Sequence, residues 1–411
     1  MAQTTTTTDS TRSNATLYIA FDLSRTKWQL AMSDGAAKPR DVVVDRESVD
    51  AAKAQFIKEI AAAKLKFGLP ASAPATAVFE AGRDGFWIQR WLRVIGVDCI
   101  VIDPASITVD RKAKQRKTDQ IDARKLLVLL CDHASGRAGL RIVQAPSPED
   151  EDSRQLQRLL DKLQSARERL TNRAISVMFA QGIDRKYDRW LKDDIAELVT
   201  GDGRNLGPFL QQELGIICRQ VANLDEEIDQ LEQQRAAALA KPETETQKIA
   251  RNLEGLVAIG PIGAWTLANE LFGWRTFANG KHLASFLGLT PTPWASGDMN
   301  RDQGISKAGP GHIRALMIQL AWSWLRYQPQ SPLSLWFNER WAKGGKRSRR
   351  VGIVAVARKL CVLLWRYVTQ GVVPDGVTTK AEDRRTQPRV RRIAPKRRAA
   401  KAELPDAAMA A

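Results

Sequence analysis

Histidine, cysteine, acidic residues and long apolar runs are what this chain has little of. Three histidines, His133, His282 and His312, and four cysteines, Cys99, Cys131, Cys218 and Cys361, are scattered through 411 residues. None has a metal-site spacing to a neighbour, so a zinc site is excluded by pattern, and any bound metal is expected to be a hard, oxygen-held ion. Thiols without a pairing framework suit a reducing, cytoplasmic compartment. No apolar stretch reaches the ~20 residues that cross a bilayer. The start, Met1 to Asn14, is Thr/Ser-rich and lacks a hydrophobic signal core, so neither export nor a membrane partner is expected. Acids number 46 against 63 Lys and Arg, a formal charge of +17. That excess points to a polyanionic partner, and with no membrane signal the expected partner is nucleic acid.

What is present is enough for real cores. Hydrophobic residues make up 44% of the chain, and this length suits two or three domains. After a polar arm over residues 1–15, the runs 17–23, 27–33 and 41–45 read as strands of an antiparallel meander. Helical spacing over 51–67 follows, then a strand at 76–80, an amphipathic helix over 85–95, a strand at 99–102 and a helix over 118–133. The pattern predicts an α/β domain over 16–148, a mixed sheet with helices packed on it. Pro146 and Pro148 mark its end. Leu156, Leu163, Leu170 and Val177 then recur every seven residues, and Val221, Leu224, Ile228 and Leu231 alternate by three and four. Over 149–250 these runs fit either a helical hairpin packing on its own domain or an intermolecular coiled coil. A mainly α domain is expected over 251–373, holding eight of the twelve tryptophans. The tail, 374–411, is expected to be disordered, with ten Lys/Arg against two acids between Lys380 and Lys401.

Acids stand at telling positions in the first domain. Asp22 lies on the first strand, Glu80 ends a later one, and Asp119 and Asp122 are three residues apart at the start of a helix, where they share a face. Phosphoryl transfer with two metal ions needs such convergent carboxylates. Crowded like charges also favour a cation between them. Each acid alone also has a structural reading: Asp119 as a helix cap, Asp22 as a turn opener. Asp103 is the main decoy, and Asp34 and Asp45 read as turn acids. Arg111, Lys112, Lys114, Arg116 and Lys117 put five cations in the seven residues before Thr118, placed to contact phosphates.

The last domain has two motifs. Gly260-Pro-Ile-Gly263 resembles the turn of a helix-hairpin-helix, which offers backbone N–H groups to a phosphate, or is a simple packing turn. Gly288-Leu-Thr-Pro291 leads through Ser296-Gly297 to Ile305-Ser306-Lys307-Ala308-Gly309 and Arg314. A loop serine beside glycine can be approached by a phosphate that Lys307 and Arg314 would neutralise. Alternatively, Ser306 caps the next helix.

The Asp22 strand, Glu80, the Lys-Thr-Asp-x-x-Asp-Ala segment and the Gly-Leu-Thr-Pro…Ser-Gly…Ile-Ser-Lys-x-Gly…Arg block together resemble the DEDD transposases of bacterial insertion sequences of the "one-ten" class, which include Piv-type DNA invertases. The resemblance implies an RNase H/RuvC-like N-terminal domain, a helical coiled-coil insert and a C-terminal transposase domain. It makes Asp22, Glu80, Asp119 and Asp122 ligands of Mg²⁺ or Mn²⁺, and Ser296 the nucleophile, with Ser306 as the fallback. It implies DNA and a structured bridge RNA as partners, a homo-oligomer (a dimer or tetramer) with active sites combining different subunits, and a bacterial, nucleoid-associated location. The length and the basic tail depart from the family's pattern. Two rival readings are a RuvC-like junction nuclease, in which water attacks, and a non-catalytic nucleic-acid-binding protein.

Overall fold

The computed structural model describes residues 16–104, 119–137, 139–188, 190–296 and 299–382. The chain divides into two compact units, Met1–Ser147 and Pro148–Ala411.

The first unit is a mixed α/β layer structure. Its elements are β1 (Leu17–Leu23), β2 (Lys27–Ser33), β3 (Arg40–Asp45), α1 (Val49–Lys66), β4 (Ala75–Glu80), α2 (Trp87–Val94), β5 (Val97–Ile102) and α3 (Asp119–Ala134). The five strands lie in the order β3-β2-β1-β4-β5. β1, β2 and β3 are antiparallel neighbours, and β4 and β5 run parallel to β1. The meander followed by alternating helix and strand is therefore as expected, with element ends shifted by a residue or two.

Strand alternation decides what each face does. Leu17, Ile19 and Phe21 point to one side and join Trp28, Leu30, Phe79 and Val101 under Phe56 of α1 and Ile88 and Leu92 of α2. The opposite face carries Ala20, Ala31, Val78 and Ile102, covered by Ala123, Leu126, Leu127 and Leu130 of α3. Those four α3 positions follow the i, i+3, i+4, i+7 rule of an amphipathic helix. Ala20 and Ala31 face each other across the β1–β2 ladder, and their small side chains let α3 lie close to the sheet. Truncating Leu126 or Leu130 there costs about 2–5 kcal/mol and would loosen the helix that carries Asp119 and Asp122.

The second unit opens with α4 (Pro148–Ala180), a short α5 (Leu191–Asp194) and α6 (Pro208–Ala240). α4 and α6 run antiparallel: Gln157 accepts a 2.8 Å hydrogen bond from Arg235, Arg167 pairs with Asp225, and Arg173 bonds Glu213 at 2.8 Å. Ala174, Val177 and Met178 meet Leu214, Ile217 and Val221 between them. The two heptad-like runs thus meet each other within one chain as a hairpin. Next come α7 (Glu245–Glu254), α8 (Pro261–Leu267), α9 (Gly280–Phe286), the hairpin β6 (Pro291–Ser296) and β7 (Met299–Ile305), then α10 (Gly311–Tyr327), α11 (Pro332–Phe337) and α12 (Lys346–Gln370). Thr244 and Gln247 form a reciprocal capping box that starts α7. Leu253, Leu267, Met317, Trp324, Val356 and Leu360 centre a core shared by these helices.

The segment 374–382, where the tail was expected to begin, is ordered. Thr379 bridges Leu256, and the Gln328 amide donates to the carbonyls of Val257 and Thr378 while accepting from the Thr378 N–H. The rest of the tail and the N-terminal arm lie outside the described residues. No helix among the described residues is long and apolar enough to cross a membrane.

Candidate active site

The four predicted acids fall at one end of the first unit's sheet. The β1–β4 ladder pairs Phe21 with Phe79, so one residue further on Asp22 and Glu80 stand side by side. Because Phe21 and Phe79 face the α1–α2 core, alternation turns Asp22 and Glu80 to the face that α3 covers. Asp119 and Asp122 occupy the first turn of α3. Two features fix this turn. Asp41 on β3 takes a bidentate grip from the Arg124 guanidinium and a 2.8 Å bond from the Gln120 amide. These contacts, led by the Arg124 hydrogen bond, outweigh partial burial and hold the Asp41 carboxyl below its usual range.

The sequence reading missed Lys27. Its ammonium lies 2.9 Å from the Asp119 carboxylate, both side chains being about half exposed. The hydrogen bond and charge of Asp119 hold Lys27 above the ordinary lysine value against slight desolvation, with Asp22 and Asp45 adding to the shift. Ser24 places it: its Oγ accepts from the Lys27 N–H and donates to the Lys27 carbonyl, tightening the turn from β1 into β2. The turn role considered for Asp22 therefore belongs to Ser24. The available signal was Lys27 at the mouth of a strand, on the same face as Gln29 and Ala31.

The other acids fall in different places. Asp34 accepts from the N–H groups of Ala36 and Ala37, a turn acid as expected. Asp103 follows β5, its N–H donating to the Arg141 carbonyl at 2.9 Å, and Asp45, expected as a turn acid, instead ends β3 opposite Lys27 in the β2–β3 register. Among the described residues, no three His, Cys, Asp or Glu side chains are grouped so as to hold a metal ion. The chemistry of the donors nonetheless suits a hard cation, and two of the acids already hold a positive charge, Asp119 the Lys27 ammonium and Asp122 the Lys125 ammonium at 3.4 Å. Arg111, Lys112, Lys114, Arg116 and Lys117 lie outside the described residues.

The serine block of the second unit folds as a hairpin, so Ser296 ends a strand instead of lying in a loop. It pairs with Met299 across the tip, and Gly297 is outside the described residues. The base of the hairpin is a backbone clasp. The Ser306 N–H donates to the Thr290 carbonyl at 2.9 Å and the Lys307 N–H to that of Gly288 at 3.2 Å. Gly288 and Gly309 both adopt left-handed backbone, and an added Cβ would come 2.2 Å from the Ala308 oxygen or 1.9 Å from the Phe286 oxygen. The Arg314 guanidinium donates to the Leu287 and Ala308 carbonyls at 3.1 and 3.2 Å, so it braces the clasp. Ser306 and Lys307 are exposed. Ser306 does not cap the next helix, which begins at Gly311 after Pro310 with no side-chain cap. Gly263, from the other motif, sits inside α8 with its missing Cβ filled by the Leu320 side chain, which favours the packing reading of that turn.

Comparison with known proteins defines the class. Residues 250–334, from the second half of α7 into α11 and including the whole hairpin, match the family described as "Transposase IS116/IS110/IS902 family". The chain is similar to "Putative transposase y4rJ" of Sinorhizobium fredii, 35% identical over 377 residues that cover 89% of this chain and 94% of the relative. It is also similar to the transposase for insertion sequence element IS1111A of Coxiella burnetii, 24% identical over 77% of this chain and 82% of that protein. A third relative is the transposase for IS1328 of Yersinia enterocolitica, 25% identical over 73% and 85%. The class is that of DNA transposases, enzymes that recombine DNA. The chain belongs to the IS116/IS110/IS902 transposase family.

Proposed function

We propose that this transposase cuts and rejoins DNA through Ser296, with Asp22, Glu80, Asp119 and Asp122 holding Mg²⁺ or Mn²⁺ on an RNase H/RuvC-like sheet. The observation that carries the reading is the placement of Asp22 and Glu80 side by side on the sheet face under α3, with Asp119 already holding a cationic group. The Ser296 oxygen attacks a DNA phosphorus, the 3′-oxygen leaves and takes up a proton, and a 5′-phosphoserine link remains. A 3′-hydroxyl from the exchanged strand then attacks that phosphorus and returns the serine, so the number of phosphodiester bonds is conserved. When bound, the ion supplies positive charge against the charge that builds on the phosphate oxygens. Lys27 pairs with Asp119 and would yield it to the ion. Lys307, on the exposed side of the hairpin base, is placed to meet a phosphate.

In this reading a structured bridge RNA pairs with donor and target DNA. Base pairing then carries sequence choice, and the protein reads backbone and shape. The half-buried leucines of α4 and exposed Phe179 and Phe209 supply a surface on which copies assemble as a dimer or tetramer. The protein acts in the bacterial cytoplasm, at the nucleoid.

Ser296→Ala should abolish covalent protein–DNA adducts on denaturing gels while RNA binding persists. Adducts from that variant would remove Ser296 and turn attention to Ser306. Asp119→Asn should stop strand exchange, and normal exchange would take the acids out of the mechanism. Hydrolysed ends without any adduct would assign the attack to water.

A further inference from the structure

A second feature of the second unit lies beyond the serine hairpin, in α11 and α12. α11 does not end as a regular helix. It runs into a π-helical turn, Asn338–Ala342, before α12. In an α-helix, residues five apart stand roughly 140° apart around the axis. The widened turn instead brings Trp336 and Trp341 together, their ring centroids 4.5 Å apart and edge to face. Gly352 of α12 seats Trp341: a Cβ there would lie 2.7 Å from the Trp341 ring and 2.9 Å from Phe337. Widened turns of this kind are frequent at functional sites.

The two indoles line a groove of about 1080 Å³ running between α11 and α12. This exceeds the roughly 300–1,000 Å³ that closes over a small ligand. Arg340, Arg358, Lys359 and Arg366 line it too, against the single acid Asp375. Lys359 stands over the Trp336 ring at 4.3 Å and Arg340 over Trp341 at 5.5 Å. Among the described residues, none of the four cations makes a salt bridge. Both indoles remain partly exposed, as do Val372 and Val373 at the end of the groove.

Four cations against one acid, interleaved with open aromatic faces, is the chemistry that holds an unpaired polynucleotide. Phosphates take the cations, and bases stack on the rings. Paired bases inside a duplex have no face free for an indole. We propose that this groove binds an unpaired DNA strand, its bases on Trp336 and Trp341 and its phosphates on Arg340, Arg358, Lys359 and Arg366. It goes beyond the catalytic reading, needing neither the serine nor the metal, and takes from the family only that DNA is the polymer.

The test uses the full chain without divalent ions and reads fluorescence anisotropy with labelled dT12, rU12 and a blunt 20-base-pair duplex. Trp336→Ala should weaken dT12 binding on the order of tenfold, the scale of one lost stacking contact, and leave duplex binding within about twofold. Lys359→Glu, at an exposed position that the core does not need, should give a comparable loss for dT12. A 5-iodo-deoxyuridine oligonucleotide should cross-link to the peptide that contains Trp336 and Trp341. Unchanged dT12 affinity in both variants, an equal loss on the duplex, or cross-links elsewhere would overturn the groove. Tighter binding of rU12 than of dT12 would overturn the choice of DNA. Ser296→Ala should keep full dT12 affinity, so failure of the catalytic reading and failure of this one leave different signatures.

Discussion

Two charge clusters, one in each unit, are built in opposite ways. In the first, the Lys27–Asp119 pair leaves 42% and 50% of its side chains in solvent. In the second, Glu270 is 8% exposed and bonds Arg154, itself 11% exposed, at 2.6 Å and Arg158 at 2.8 Å. Burial alone would push the Glu270 carboxyl up, yet the two arginines outweigh it and hold the carboxyl below its usual value. Burial, with the like charge of Arg154, pushes the neighbouring Arg275 down to about 10 against the pull of Glu270, while Arg158 closes the solvent side of the cluster, its side chain 42% exposed. Glu270 also sits in a π-helical turn, Ala268–Phe272, and the arginines come from α4. The cluster therefore ties the long hairpin to the core of its own unit. The lesson is a criterion: a dry, fully partnered acid is a fastener, whereas a half-wet acid with a replaceable partner is available for chemistry.

That contrast can be broken most forcefully at Glu270. Glu270→Gln leaves Arg154 charged and dry, and should cost about 3–5 kcal/mol in the denaturant-monitored unfolding of the second unit. A loss within experimental scatter would mean the cluster is wet and the criterion fails. The same residue gives a pH signature. Its folded pKa lies below the ordinary 4.5, so its contribution is present above that value and lost as pH falls through the depressed folded one. Acid unfolding should therefore be steeper in the wild type than in Glu270→Gln.

Next in size is Gly309→Ala, which forces a side chain into left-handed backbone and against the Phe286 carbonyl. A destabilisation of about 2–3 kcal/mol is expected by thermal melting, with the first unit's transition unmoved. The smallest effect on folding belongs to Lys27→Met. The pair it breaks is exposed, so the melting curve should hardly move, but Mn²⁺ binding followed by calorimetry should tighten because a competing cation is gone. Weaker Mn²⁺ binding would show that Lys27 positions the acids instead of competing for them.

Much of the first unit was legible because its signals are local. The run from Leu17 to Leu23, the apolar strands β4 and β5, and the spacing of Ala123, Leu126, Leu127 and Leu130 each announce their own element. The positions of the acids on their elements were legible too, since strand ends and the first turn of a helix can be placed from the same pattern. Lys27 was not, because its value comes from pairing across space with α3, ninety residues later. The Ser296-Gly297 element reads as a loop because serine beside glycine suits a turn, and only the pairing of Trp294 with Arg301 and Ser296 with Met299 shows a strand. The Trp336–Trp341 pair was hidden for a different reason. Five-residue spacing separates side chains in the helix that the sequence suggests, and nothing local signals the wider turn.

The clasp at the foot of the β6–β7 hairpin has a consequence for how such an enzyme can diversify. Gly288 and Gly309 admit no side chain, and Arg314 braces the carbonyls between them, so the mounting is intolerant of change. Above that mounting, the described pairing of β6 and β7 is to each other. Ile305, at the foot of β7, packs on the core of the domain, so the exchangeable stretch is the one above it. A hairpin exchanged with one from a relative, spliced at residues 290 and 305 so that Ile305 is kept, should melt at the temperature of the parent. The finger is an interchangeable part on a standardised fitting, and new working tips can be tried without rebuilding the machine.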